Sequence, residues 1–156
     1  MTSTVLDNIK IVHLDGAVTR QEVLAQLADT AVSLGWAKRG LAEAVLAREE
    51  TYPTGLQTSS LGIAIPHADP IWSVVPSMIV GILGTPVRFE DMGGSGEHIQ
   101  VSLVFLVAVM SPEGHIDFLR ALTSVFKDGG DLEKVRQADD GADVAEILRG
   151  VQSRAM

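Results

Sequence analysis

Leu61-Gly62-Ile63-Ala64-Ile65-Pro66-His67-Ala68 decides how this chain folds. Ile63, Ala64 and Ile65 form a short apolar run between Gly62 and Pro66, the pattern of a buried strand. Proline has no N–H to give to a ladder, so pairing is expected to stop at Pro66. His67 then stands at the end of a stiff element, where rigid strands present reactive groups to solvent. A neutral imidazole has one nitrogen lone pair, and an unperturbed pKa of about 6.5 leaves that pair available at neutral pH. His67 is the candidate nucleophile; the plainer alternative is a histidine that merely caps a strand edge.

Towards the N-terminus, Pro53-Thr54-Gly55 breaks the chain. Before it, Leu41, Ala42, Val45 and Leu46 stripe a helix over Leu41–Thr51, closed by Arg48, Glu49 and Glu50. An earlier helix starts at a capping box, Thr19-Arg20-Gln21-Glu22, with Val23, Leu24, Leu27, Ala31 and Leu34 expected inside and Gly35 just past its end. Ile9–Leu14 reads as a strand, with His13 a half-exposed packing residue.

Towards the C-terminus, a loop carries Asp69, Pro70, Trp72 and Pro76. Residues 78–83 form a strand and residues 86–89 a short edge strand. Residues 92–97 hold Gly93, Gly94 and Gly96; no Lys-Ser/Thr follows, so they read as a flexible turn rather than a phosphate cradle. Residues 99–110 form the longest strand, apolar enough to be central. Ser111-Pro112 starts a helix that buries Ile116, Leu119, Leu122, Val125 and Phe126 and ends at Gly129-Gly130, with His115 in its first turn. Short helices follow at residues 132–137 and 143–151. Strands interleaved with helices predict an α/β fold, one domain over residues 1–156, its sheet covered by helices on both faces.

Composition narrows the function. The 156 residues can bury a sizeable core, and 46% hydrophobic content with a mean hydropathy of +0.24 excludes a disordered chain. There is no cysteine, so disulfides, thiolate metal sites and a Cys nucleophile are excluded. The net charge of −8 disfavours nucleic acid, which needs clustered Lys and Arg. The longest apolar stretch, residues 101–110, is too short for a bilayer, and no basic start leads into an apolar run, so the cytoplasm is expected.

Several residues could serve an anion. The Arg48 guanidinium suits a phosphate, with Glu49 beside it. Thr54 supplies a hydroxyl, and Gly55 lets a backbone N–H come close. His115 lies where helix N–H groups favour anions. Each also has a structural explanation: a solvated helix end for Arg48-Glu49, a turn for Thr54-Gly55, an exposed side chain for His115.

The ordered set Arg48-Glu49, Pro53-Thr54-Gly55, Gly62-Ile63-Ala64-Ile65-Pro66-His67, an apolar strand and then His115 at a helix start resembles the fructose/mannitol-type IIA domains of the bacterial phosphoenolpyruvate-dependent sugar phosphotransferase system. The resemblance covers residues 5–148. It implies a mixed sheet between helices, an α/β/α sandwich. It implies that His67 accepts a phosphoryl group from the phosphocarrier HPr and passes it to a IIB subunit, with the membrane IIC component met only indirectly. Arg48 and His115 match the residues that steady the phosphate, with Thr54, Gly55 and Glu49 in support. No metal or cofactor is implied. IIB partners of this kind resemble a Cys-phosphorylated domain, so a chain without cysteine must hand the group to a separate one. Ala47-Arg48-Glu49, Tyr52-Pro53-Thr54-Gly55 and Val101-Ser102-Leu103-Val104 look most like the galactitol type. The other readings are a regulatory, nitrogen-type IIA phosphoprotein that acts by phosphorylation-dependent binding, and a small ligand-binding domain with an inert His67. The sequence does not give the sugar. His13 and His98 match nothing in the pattern.

Overall fold

The computed structural model describes residues 5–17, 19–111, 122 and 129–155. A five-stranded mixed sheet has the order β1 (Ile9–Leu14), β4 (Ser77–Glu90), β5 (His98–Ala108), β3 (Gly62–Ala64), β2 (Gly55–Gln57). β1 is parallel to β4 and β3 to β5; the β4–β5 and β2–β3 pairs are antiparallel. The apolar strand expected at the centre is there, with two strands on each side of β5, but it is not the longest: β4 has 14 residues and β5 has 11.

Helices cover both faces. α1 (Arg20–Ser33) and α2 (Leu41–Thr51) pack on one, where Val23, Leu24, Leu27 and Val45 meet Ile79, Phe89, Val104 and Leu106, all buried. α3 (Gly129–Arg136) and α4 (Gly141–Ala155) cover the other, where Leu132, Val135, Val144 and Leu148 meet Met78, Val80, Leu103, Phe105 and Val107. Adjacent strand residues thus feed opposite cores, as the period of two demands. Ser102 interrupts that alternation. Val101 faces the α1–α2 side and Leu103 the other, and Gly62 pairs with Val101 while the next residue, Ile63, pairs with Leu103. Ser102 is the extra residue of a bulge, which lets one strand keep both cores filled.

Local signals explain most element ends. Thr19 caps α1, its Oγ1 accepting from the Glu22 N–H at 3.2 Å. The same hydroxyl donates to the Glu22 carboxylate, in place of the reciprocal half of a capping box. Gly35 has the positive φ of 77° expected past a helix end. Leu34, expected inside, is the C-cap residue and is 42% exposed, because the helical stripe has turned outward there; Ala28 is buried instead.

Three further expectations change. β2 is a strand the sequence pattern missed. Residues 78–83 and 86–89 belong to one strand, β4, whose register shifts between Ile82 and Val87, so Pro86 sits in an irregularity rather than starting a separate edge strand. Residues 92–97 form the β4–β5 loop, a turn as expected, organised by the Asp91 carboxylate, which accepts from the Gly93 N–H and the Ser95 hydroxyl. Gly129 and Gly130 lie within α3, and α4 extends to Ala155. The helix expected after Ser111-Pro112, with His115, lies outside the described residues apart from a buried Leu122. No helix among the described residues is long and apolar enough to cross a membrane.

Leu27 is fully buried between α1 and β4, its methyl groups packed over Gly81. Leu27→Ala is expected to cost about 2–5 kcal/mol of unfolding free energy, measurable by urea denaturation with an unchanged m-value.

Candidate functional site

The site forms where β2 and β3 run antiparallel. Gly55 pairs with Ala64, which sets Thr54 opposite Ile65. Pairing does not end at Pro66. The proline lacks a donor but keeps its carbonyl, which accepts from the Val107 N–H at 3.3 Å, and His67 bridges Val107 in parallel register. The β3–β5 ladder therefore carries His67 to the C-terminal end of β5. His98 opens that strand, about 30 Å of extended chain away, and His13 is exposed on β1.

His67 is partly buried, and its Nδ1 lies 3.2 Å from the Ile65 carbonyl. A carbonyl can only accept, so Nδ1 carries the proton and the lone pair of the neutral ring is on Nε2. Burial pushes the His67 pKa below its ordinary 6.5, opposed by the hydrogen bond to Ile65; the Arg48 charge lowers it further and Asp69 raises it.

α2 supplies two consecutive residues that point apart, since the helix turns about 100° per residue. Arg48 reaches outward. Its guanidinium meets Asp69 Oδ1 at 3.1 Å and lies 5.0 Å from the centre of the Tyr52 ring. Its Nε is buried with no hydrogen-bond partner among the described residues. Glu49 points inward and is 2% exposed, so it is no solvated helix end. Its Oε2 accepts from the Thr54 N–H at 2.7 Å and its Oε1 from the Thr54 hydroxyl at 2.8 Å. Burial raises the Glu49 pKa; these bonds and the Arg20 charge oppose the rise, while Glu90 adds to it. The Thr54 hydroxyl in turn accepts from the Ile65 N–H at 3.2 Å. Gly55 is needed for a reason unrelated to anions: a Cβ there would stand 2.6 Å from the Glu90 carbonyl.

His67, Arg48, Thr54, Gly55 and Glu49 thus gather at one end of the sheet, with Thr54 and Glu49 turned into the protein. His115 lies outside the described residues. Asp69 and Tyr52 were not singled out from sequence as partners of Arg48. Tyr52 follows Arg48 by four residues, the one spacing that could have shown it; Asp69 gave no signal. Trp72 is an anchor, its ring filling the space over Gly40, where a Cβ would be 2.7 Å from it. Ile71 and Val74 on either side are 69% and 46% exposed.

The family model for the phosphoenolpyruvate-dependent sugar phosphotransferase system, EIIA 2, matches residues 4–151. The chain belongs to that family. It is 29% identical over 105 residues to the galactitol-specific EIIA component of the phosphotransferase system of Escherichia coli strain K12, covering 67% of this chain and 69% of that protein. The fold matches a PTS IIA protein, PtxA, of Streptococcus mutans, with a TM-score of 0.72, 18% identity and coverage of 96% of this chain and 91% of that one. It also matches the complex of enzyme IIA-mannitol with phosphorylated enzyme IIB-mannitol of Escherichia coli, with a TM-score of 0.71, 23% identity and coverage of 96% and 99%. The mixed sheet between helices is the fold of this EIIA family, as the sequence implied.

The lowered His67 pKa has a defined effect on stability. Just below pH 6.5 the unfolded chain takes up a proton that the folded chain resists, so stability falls as pH drops from 6.5 through the folded value. An NMR titration is expected to place His67 below 6.5, and His67→Gln is expected to flatten that part of the stability profile.

Proposed function

We propose that His67 accepts a phosphoryl group from HPr and passes it to a IIB subunit, in the uptake of a sugar or polyol of the galactitol kind. The observation that carries this reading is the hydrogen bond from Nδ1 to the Ile65 carbonyl, on a ring that burial keeps neutral. Nε2 is then the nucleophile. It attacks phosphorus in line; the N–P bond to the donor histidine breaks, and that imidazole takes the electron pair back. The proton stays on His67 Nδ1 throughout. As the new N–P bond forms the ring gains positive charge, and the bond to the Ile65 carbonyl strengthens as it becomes charge-assisted.

Arg48 steadies the phosphoryl oxygens. Its guanidinium is always charged, its buried Nε has hydrogen-bonding capacity to give, and its exposed bond to Asp69 is weak enough to exchange. His115, matched through the family pattern, is the second histidine on the phosphate. Thr54, Gly55 and Glu49 support the loop behind His67. The reaction consists of positioning and charge stabilisation, which these groups supply without a cofactor. The IIC component is reached only through IIB.

Intact mass after incubation with phosphoenolpyruvate, enzyme I and HPr tests the reading. The expected result is one acid-labile phosphoryl group on the wild type and none on His67→Ala. No gain on the wild type, with HPr shown to be charged, removes it. A charged chain that binds a partner only when phosphorylated, and charges no IIB, would shift the role to regulation.

Ile71 and Val74 lie in the chain segment that follows His67, and their exposed apolar side chains offer a surface to incoming partners. Val74→Asp is expected to slow phosphoryl transfer while the melting temperature stays within about 2 °C of wild type, as for surface substitutions generally; an unchanged transfer rate would take this loop out of the docking face.

A further inference from the structure

Glu49 is a buried carboxylate with no contact to the reacting nitrogen, yet a continuous set of hydrogen bonds ties it to His67. Its two oxygens hold the N–H and hydroxyl of Thr54, at 2.7 and 2.8 Å. Because the Thr54 hydroxyl gives its proton to Glu49, its oxygen must face the Ile65 N–H as an acceptor, which it does at 3.2 Å. The opposite end of Ile65 is the carbonyl that takes the His67 Nδ1 proton.

We propose that Glu49 and Thr54 are positioning residues: they fix the rotation of the Ile65 backbone, and through its carbonyl the tautomer and orientation of the His67 ring, without touching the phosphoryl group. This rests on the reading of His67 as the phosphoryl acceptor.

Three observations support the assignment. Thr54 is 5% exposed and its hydroxyl is engaged on both sides, so it has no donor left for a phosphate. Glu49 is 2% exposed, and a carboxylate turned to a phosphoryl dianion would repel it. Both Glu49 oxygens are bonded to Thr54, one to its N–H and one to its hydroxyl, so Glu49 acts on the backbone beside the ring. A backbone held this way matters because Pro66 follows. The Ile65–Pro66 amide has no N–H of its own to anchor it, so the Ile65 carbonyl depends on the bonds at the residue's other end.

The test uses the full chain with nitrogen-15 NMR of the His67 ring and transfer rates from phospho-HPr. Wild type is expected to show the Nδ1–H tautomer. Thr54→Val keeps the side-chain shape and removes the hydroxyl. It is expected to give a mixed tautomer, a further lowered His67 pKa and a transfer rate down roughly 10- to 100-fold. Thr54→Ser restores the hydroxyl and is expected to restore tautomer and rate together. An unchanged His67 tautomer and pKa in a folded Thr54→Val overturns the proposal. Should that variant not fold, Glu49→Gln, which loses one acceptor oxygen, is judged by the same ring spectrum: a shift toward the mixed tautomer supports the proposal and a wild-type spectrum overturns it. The ring spectrum requires no phosphorylation. A wild type that takes no phosphoryl group, while Thr54→Val still shifts the tautomer, refutes the acceptor reading and leaves the tie between Thr54 and the ring standing.

Discussion

Ile65 is gripped at both ends, and the site depends on that grip. The Thr54 hydroxyl takes its N–H, and its carbonyl takes the proton of His67. One residue further, the Pro66 carbonyl is held by the Val107 N–H of the central strand. A three-residue strand is short for an element that must hold a histidine ring in place. β3 manages because its continuation is fixed by side chain on one edge and by β5 on the other. Proline at position 66 fits this arrangement: it removes a donor that has no partner to meet, and its fixed φ limits how far the following histidine can swing.

The two cores explain why this end of the sheet is stiff. β5 feeds both, with Leu103, Phe105 and Val107 on one side and Val104 and Leu106 on the other. The strand beneath His67 is therefore packed from both faces, and helices α1 and α2 bear on the face where Ala64 is buried. Close packing of this kind transmits small displacements rather than absorbing them. The bulge at Ser102 preserves the packing where the alternation would otherwise turn apolar residues to the wrong face.

Much of this was legible in the sequence. β1 and α2 have the bounds that their apolar patterns indicated, and α1 starts at its threonine cap. The Pro66-His67 pair stood out because an apolar run ended on a rigid residue followed by a titratable one. What stayed hidden was of two kinds. Gly55-Leu56-Gln57 is too short to show alternation, so β2 could not be read, and without β2 nothing set Thr54 beside Ile65. Glu49 followed a charged residue at a helix end, the composition of a solvated turn. Its burial depends on a threonine five residues on whose backbone returns to meet it, a long-range consequence of strand pairing that no local pattern contains. Pro66 misled in a smaller way: loss of a donor was taken as the end of pairing, although a ladder also runs on acceptors.

The site separates two carboxylates by what each must do. Asp69 is 70% exposed in its bond to Arg48, and such surface pairs contribute at most about 1 kcal/mol. A phosphoryl dianion offers the guanidinium a charge-assisted bond of the same kind, with more negative charge than a carboxylate, so on the acceptor reading Arg48 can change partners at small cost. Glu49 is placed so that it cannot take part in that exchange. It is on the same helix, next to Arg48, yet a rotation of about 100° turns it into the interior, where Thr54 occupies both of its oxygens. On that reading a phosphate at His67 would meet the cation of Arg48, while both oxygens of Glu49 stay bonded to Thr54. On the acceptor reading, the weak bond lies where a partner is exchanged, and the buried ones lie beneath the ring that takes the phosphoryl group.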